Sequence, residues 1–293
     1  MSIYLKEIRQ FYDRLYRNNV QFNDNIAQNF INQNQKISNQ IHNDMRRVWR
    51  FKPLFENITS SDEVLTNCRA LQCIFEKYVF IIWSNMQTEI QENYYQSVTD
   101  ILEMIFCAYV NFKSVCRDVH QFSYFSEELR LFDGDISVYF KNQNYERSVS
   151  VGMQSVSHLF KQTQFSEQSF LKMSASVHKQ VSQLSPQLAK SIPKSFSSEL
   201  LVSNYLQYVT SFCLHFATDL KLSSILAQLY SVLNLDGQIY FISQIIVFCA
   251  NSFKDQIQDG FELINQCVQK MMVQKTEELY VFIRGMSQKM FFV

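Results

Sequence analysis

Glycine and proline are scarce, at 5 and 3 of 293 residues. At average usage of roughly 7% and 5%, a chain this long holds about 20 and 15. Sheets need turns, and tight turns need these residues or Asn and Asp at defined positions. No Gly or Pro lies between Pro53 and Gly134. A run that long without either punctuator excludes most β architectures and fits continuous helix. Excess charge of one sign is also missing: Lys+Arg and Asp+Glu both number 27. Nucleic-acid binders carry a basic balance, so no nucleic-acid partner is expected. The seven cysteines (Cys68, Cys73, Cys107, Cys116, Cys213, Cys249 and Cys267) include no CxxC pair. They read as neither a disulfide frame nor a zinc site. Lys6, Glu7, Arg9 and Asp13 interrupt the start, so no signal peptide is read. No apolar run reaches the ~18 residues of a membrane span. The best, residues 239–250, contains Ser243 and Gln244. A cytoplasmic location follows, with peripheral attachment to membranes left open.

What is present is hydrophobic patterning, with 47% hydrophobic residues, enough for a substantial core. Residues 3–50 read as one helix, with apolar residues from Leu5 through Phe22 and Phe30 to Val48 spaced mostly by threes and fours. Its last turn carries Arg46, Arg47 and Arg50, and Lys52-Pro53 ends it. Ser60-Ser61-Asp62-Glu63 then signals a helix start. The stripe that follows runs from Val64 through Phe75, Ile82, Ile90, Ile101 and Tyr109 to Phe122 in steps of three or four. If unbroken to about Leu131 it spans roughly 100 Å, with a kink near Asn93 or at Ser123-Tyr124 as the alternative. Asp133-Gly134-Asp135 makes a turn. Residues 136–181 form a weaker helical stretch in which Gly152 marks a bend, and 182–196 form a linker with Pro186 and Pro193. A further helix runs from Ser197 to Leu233, and Leu235-Asp236-Gly237 breaks the chain. Shorter helices follow near 238–251, 253–272 and 275–291. The fold class expected is all-α: long antiparallel helices in an elongated bundle over residues 1–235, with a helical extension over 236–293 packed on it.

No constellation of residues reads as a reaction centre. Cys116 and His120 lie one helical turn apart and Cys213 and His215 two residues apart, whereas a metal needs three or four converging ligands. Counting an EF-hand loop from Asp133 puts Val138 and Asn144 where Gly and Glu belong, so no calcium site is read. The adjacent acids Glu127-Glu128 and Glu277-Glu278 point about 100° apart on a helix. No nucleophile elbow, phosphate loop, dinucleotide fingerprint or HExxH occurs. Neither enzymatic activity nor a metal nor any cofactor is expected. An enzyme assembled from scattered helix residues is the remaining alternative, and its polar groups form no convergent set.

Two regions suit an anionic surface. Arg46, Arg47, Trp49, Arg50 and Lys52 form a basic–aromatic cluster, for which helix-dipole complementation is the competing explanation. Lys141, Arg147, Lys161, Lys172 and Lys179 lie in residues 136–182, where Glu146 and Glu167 are the only acids. A solvated polar helix face is the competing explanation there.

In residues 74–125 the long stripe with Tyr109, Phe112, Lys113, Arg117 and Asp118 resembles the BAR-domain superfamily of crescent-shaped membrane-binding dimers. Glu199-Leu200-Leu201, Tyr205-Leu206, Tyr208-Val209 and Phe212 in 198–233 look like that family's final long helix. The resemblance implies a homodimer that senses or generates curvature in membrane traffic through a basic face. A long apolar stripe needs a partner surface along its length, and if no intrachain helix matches it a second copy would supply that surface. The expected function is therefore a non-enzymatic, membrane-peripheral helical scaffold. The alternative is a helical tethering or cytoskeletal subunit that binds proteins instead of lipids.

Overall fold

The structure is a computed structural model that describes residues 3–45, 61–122, 132–141, 144–163, 166–191, 198–253 and 262–291. Fifteen α-helices and no strand occur among the described residues, so the all-α class holds. The chain divides into two compact units, Met1–His158 and Leu159–Val293. The divide expected at residue 235 falls inside the second of these.

The first unit contains α1 (Ile3–Leu15), α2 (Ala27–Gln33), α3 (Gln35–Met45), α4 (Ser61–Ser84), α5 (Thr88–Gln91), α6 (Gln96–Tyr109), α7 (Phe112–Arg117) and most of α8 (Asn144–Thr163). The single helix expected over 3–50 is therefore broken twice within its described part, and its last residues lie outside the described ones. The first break has a distant cause. The Arg147 guanidinium donates to the carbonyls of Asp13 (3.2 Å), Tyr16 and Asn18 (3.4 Å). Asp13 and Tyr16 lie at the end of α1, where helix carbonyls run out of partners, and Asn18 lies just beyond it. The second break is local, at Asn34, whose side-chain amide donates to Phe30 O at 3.2 Å.

The stripe from Val64 to Phe122 is likewise not one helix. It is interrupted at 85–87, 92–95 and 110–111, and its longest piece, α4, has 24 residues. Side-chain amides end it. Asn85 Nδ2 donates to Ile81 O at 2.8 Å and to Asn23 O at 3.1 Å, while Asn23 N–H donates back to Asn85 Oδ1 at 2.9 Å. Gln91 Nε2 donates to Ser84 O at 3.0 Å, and Trp83 Nε1 donates to Gln91 O at 3.1 Å. The chain then returns and α6 packs against α4. The ring of Phe106 meets Phe75 at 5.0 Å and Tyr78 at 5.3 Å between centroids. The apolar face that seemed to need a second copy is covered by the chain's own helices.

Gly152 marks no bend, since α8 runs straight through it. A Cβ there would sit 2.4 Å from Ile82 Cδ1 and 3.0 Å from the Tyr78 hydroxyl. A side chain there would have to displace Ile82, so glycine suits the close approach of α8 to α4. One turn away, Tyr78 donates to Ser148 O at 2.8 Å. Asp133–Asp135 is a turn: Asp135 accepts from Ser137 N–H at 2.8 Å and starts a 3₁₀ segment, Ile136–Tyr139.

The second unit contains α9 (Glu167–Leu184), α10 (Pro186–Ser191), α11 (Ser198–Ser211), α12 (Leu220–Val232), α13 (Leu235–Ser252), α14 (Glu262–Gln274) and α15 (Thr276–Phe291). Three of these helices start on local caps. Ser166 accepts from Ser169 N–H, Asp219 from Leu222 N–H and Asn234 from Gly237 N–H. Leu235-Asp236-Gly237 is therefore the first turn of α13 and not a break. The expected linker is partly helical too, because Pro186 opens α10, where its missing N–H is no loss. The helix expected over 197–233 turns at Phe212 and Cys213, with φ of 50° and 62°. Cys213 N–H reaches back to Tyr208 O at 3.0 Å. Phe212 is fully buried and stacks on Tyr230 with centroids 5.3 Å apart and planes 3° apart. That packing holds a backbone conformation that side-chain-bearing residues rarely adopt. Within the unit α9 lies against α11 and α13, α13 against α14, and α12 against α15.

Candidate functional site

Several polar side chains of the first unit are committed to one another. Asp13 accepts from Arg147 Nε at 2.9 Å and from the Tyr109 hydroxyl at 2.7 Å, and Arg9 lies 3.6 Å from its other oxygen. Arg9 also donates to Asn144 at 2.9 Å and sits over the Tyr109 ring. His42 Nδ1 meets Glu76 at 2.8 Å. Tyr94 donates to Asp44 at 2.8 Å and contacts Thr99. Lys77 donates to Gly134 O at 2.7 Å among Asp24, Asp133 and Asp135. Burial, opposed by the Tyr145 hydrogen bond and reinforced by Asp135 and Glu146, raises the Asp24 carboxyl above its ordinary value. Each network joins different elements, so its first effect is to fix the fold.

Nucleophiles are no better placed. Burial pushes the thiols of Cys213 and Cys249 well above their ordinary value, which keeps them neutral and unreactive. Burial also pushes Cys73 up to about 12, with help from Glu76. No group of three or more His, Cys, Asp or Glu able to hold a metal occurs among the described residues. Nor is any helix among them long and apolar enough to cross a membrane.

The cations singled out from the sequence separate into three sets. Arg46, Arg47, Trp49, Arg50 and Lys52 lie outside the described residues. Lys141 and Arg147 belong to the first unit and are only partly exposed. Arg147 is spent on Asp13 and the end of α1. Burial, with repulsion from Arg9 and Lys113, lowers the Lys141 ammonium. Lys161, Lys172 and Lys179 belong to the second unit and are exposed. None of these three meets a carboxylate among the described residues.

Lys172 and Lys179 are seven residues apart on α9, so they share a face about 10 Å apart at 1.5 Å per residue. Leu171 and Leu184, 37% and 41% exposed, flank them, so apolar as well as basic groups reach solvent. The region extends further than the sequence reading took it. Lys190 on α10 is exposed as well. No Asp or Glu occurs between Glu167 and Glu199, while Lys172, Lys179, Lys190 and Lys194 all do. The signal that finds Lys190 is this acid-free interval; a window closed at residue 182 misses it.

No family model, curated protein or solved structure matches this chain. The resemblance to the BAR-domain superfamily depended on residues 74–125 and 198–233 as long helices. Among the described residues these segments are interrupted at 85–87, 92–95, 110–111 and 212–219.

Proposed function

We propose that this chain is a non-enzymatic helical scaffold that meets anionic membrane surfaces through the α9–α10 face of its second unit. The acid-free interval with Lys172, Lys179 and Lys190 exposed carries the reading. Each cation near an anionic leaflet contributes about 1 kcal/mol, and the attraction fades beyond a Debye length. Three or four such lysines give weak, salt-sensitive attachment, which the exposed Leu171 and Leu184 reinforce by partial burial among headgroups. A second copy is not part of the proposal, because α6 and α4 cover each other's apolar faces.

The test is co-sedimentation with phosphatidylserine/phosphatidylcholine vesicles at low salt. Wild type is expected to pellet, and K172E/K179E to stay in the supernatant with its helical content unchanged. Wild type left in the supernatant at low salt overturns the reading. That result would favour the tethering alternative, which has its own support in Val273 and Val281, 67% and 60% exposed on α14 and α15.

A further inference from the structure

The same helix that bears Lys172 and Lys179 carries a half-buried histidine at the edge of its inner side. His178 lies between Val177 and Val181, and Ser174 precedes it by one turn on the same row. Phe170, Met173, Val177 and Val181 of that side are buried. The His178 ring meets the ring of Tyr205 on α11, with centroids 5.5 Å apart. Its Nδ1 is buried and has no hydrogen-bond partner among the described residues, and the same holds for the Ser174 hydroxyl. A neutral ring tolerates this arrangement, because the proton sits on the other nitrogen and Nδ1 keeps a bare lone pair. A protonated ring does not. It adds an N–H at the buried Nδ1 with no acceptor in place among the described residues, and a half-buried charge with no counter-ion among them.

The described surroundings offer no counter-charge. The titratable group that faces His178 from α11 is Tyr205, and the sequence of α11 also holds Glu199 and Tyr208. The titratable groups of α10 and α13 are Lys190, and Asp236, Tyr240 and Cys249. On α9 itself they are Glu167, Lys172 and Lys179. Among the described side chains none opposes the burial that holds the ring below its ordinary protonation range.

We propose that His178 is a proton-sensitive latch, closed while neutral, whose protonation releases α9 from α11 and turns its apolar side toward an anionic lipid surface. The proposal rests on the membrane reading above for its destination, but not for the latch. The released helix has what an interfacial helix needs: Phe170, Met173, Val177 and Val181 on one side, Lys172 and Lys179 on the other. Because the folded form holds the ring neutral, the latch is fully closed above about pH 6.5, the ordinary histidine value, and weakens as pH falls below it. Anionic surfaces attract protons as well as lysines, so lipid and acid act in the same direction.

Amide hydrogen exchange of the full chain without lipid tests the latch, at pH 7.5 and pH 5.0 with intrinsic rates corrected. Protection over residues 167–184 is expected to fall at least ten-fold more than over residues 276–291 at the lower pH. His178→Phe keeps the ring contact with Tyr205 but cannot protonate, so it should lose this difference. His215→Gln, at the exposed histidine of the same unit, should keep it. Unchanged protection of α9 at pH 5.0, or an equal loss in His178→Phe, overturns the latch. Vesicle pelleting at the two pH values then tests the destination. Wild type should pellet several-fold more at pH 5.0, and His178→Phe equally at both. Release of α9 without pelleting at either pH overturns the lipid destination together with the membrane reading, whereas pelleting without release overturns the latch alone.

Discussion

The two units are held together by different chemistry. In the first, charged side chains cross between elements: Arg147 to Asp13, Arg9 to Asn144, His42 to Glu76, Lys77 to Gly134 O. In the second, the contacts that join helices are mainly apolar or neutral: Phe212 on Tyr230, Phe248 on Phe282 at 4.0 Å, and Gln207 and Tyr208 to Asn265. Its cross-helix ion pair among the described residues, Lys221 with Glu277, is at the surface, where such pairs contribute little. Arg9, Lys77 and Arg147 of the first unit are therefore structural parts. The exposed lysines of α9 and α10 are free for something outside the chain.

Both tryptophans, Trp49 and Trp83, belong to the first unit, so fluorescence follows that unit while circular dichroism follows both. The largest effect is expected from Phe212→Ala. It removes a fully buried ring and should cost the second unit about 3–5 kcal/mol. The circular dichroism transition should split or broaden while the fluorescence midpoint stays put; a moved fluorescence midpoint would break the division into separate chemistries. Next is Arg147→Met, which keeps the aliphatic stem but leaves Asp13 to Tyr109 and Arg9 and takes the guanidinium from the end of α1. About 2–3 kcal/mol is expected, read as a lower denaturant midpoint by fluorescence. No shift would mean that the network on Asp13 is ornamental.

The smallest effect is expected from Asp24→Asn. The folded carboxyl titrates above its unfolded value, so at neutral pH wild type carries a penalty that the amide, still able to accept from Tyr145, avoids. The first unit of the variant should melt slightly higher at pH 7.5. That advantage should vanish as pH falls through the raised value to below about 3.9, where both forms are neutral. A variant that melts lower at pH 7.5 contradicts this sign.

The difference between the units also explains what could be read in advance. The scarcity of Gly and Pro made the helical class legible, and Asn234, Asp219 and Ser166 are caps of a kind visible in sequence. The ends of α1 and α4 were not legible. Asn85 and Gln91 fit an apolar period of three and four as its polar positions, yet their amides compete for helix carbonyls. Arg147 ends α1 from more than a hundred residues away. The same residue explains the weakness of the surface reading: as a cation in a basic stretch it was indistinguishable from Lys172. Only its partners, Asp13 and three carbonyls, separate the two.

The buried cysteines give these units one more property. Cys107 lies in the core of the first unit, Cys213 and Cys249 in that of the second. A maleimide or iodoacetamide attacks the thiolate, and none of the three is reachable while its unit stays closed. Labelling rates at these positions therefore count opening events, one count per unit, on the native sequence. The chain thus carries two internal stopwatches, and the interval between them measures how independently its halves breathe.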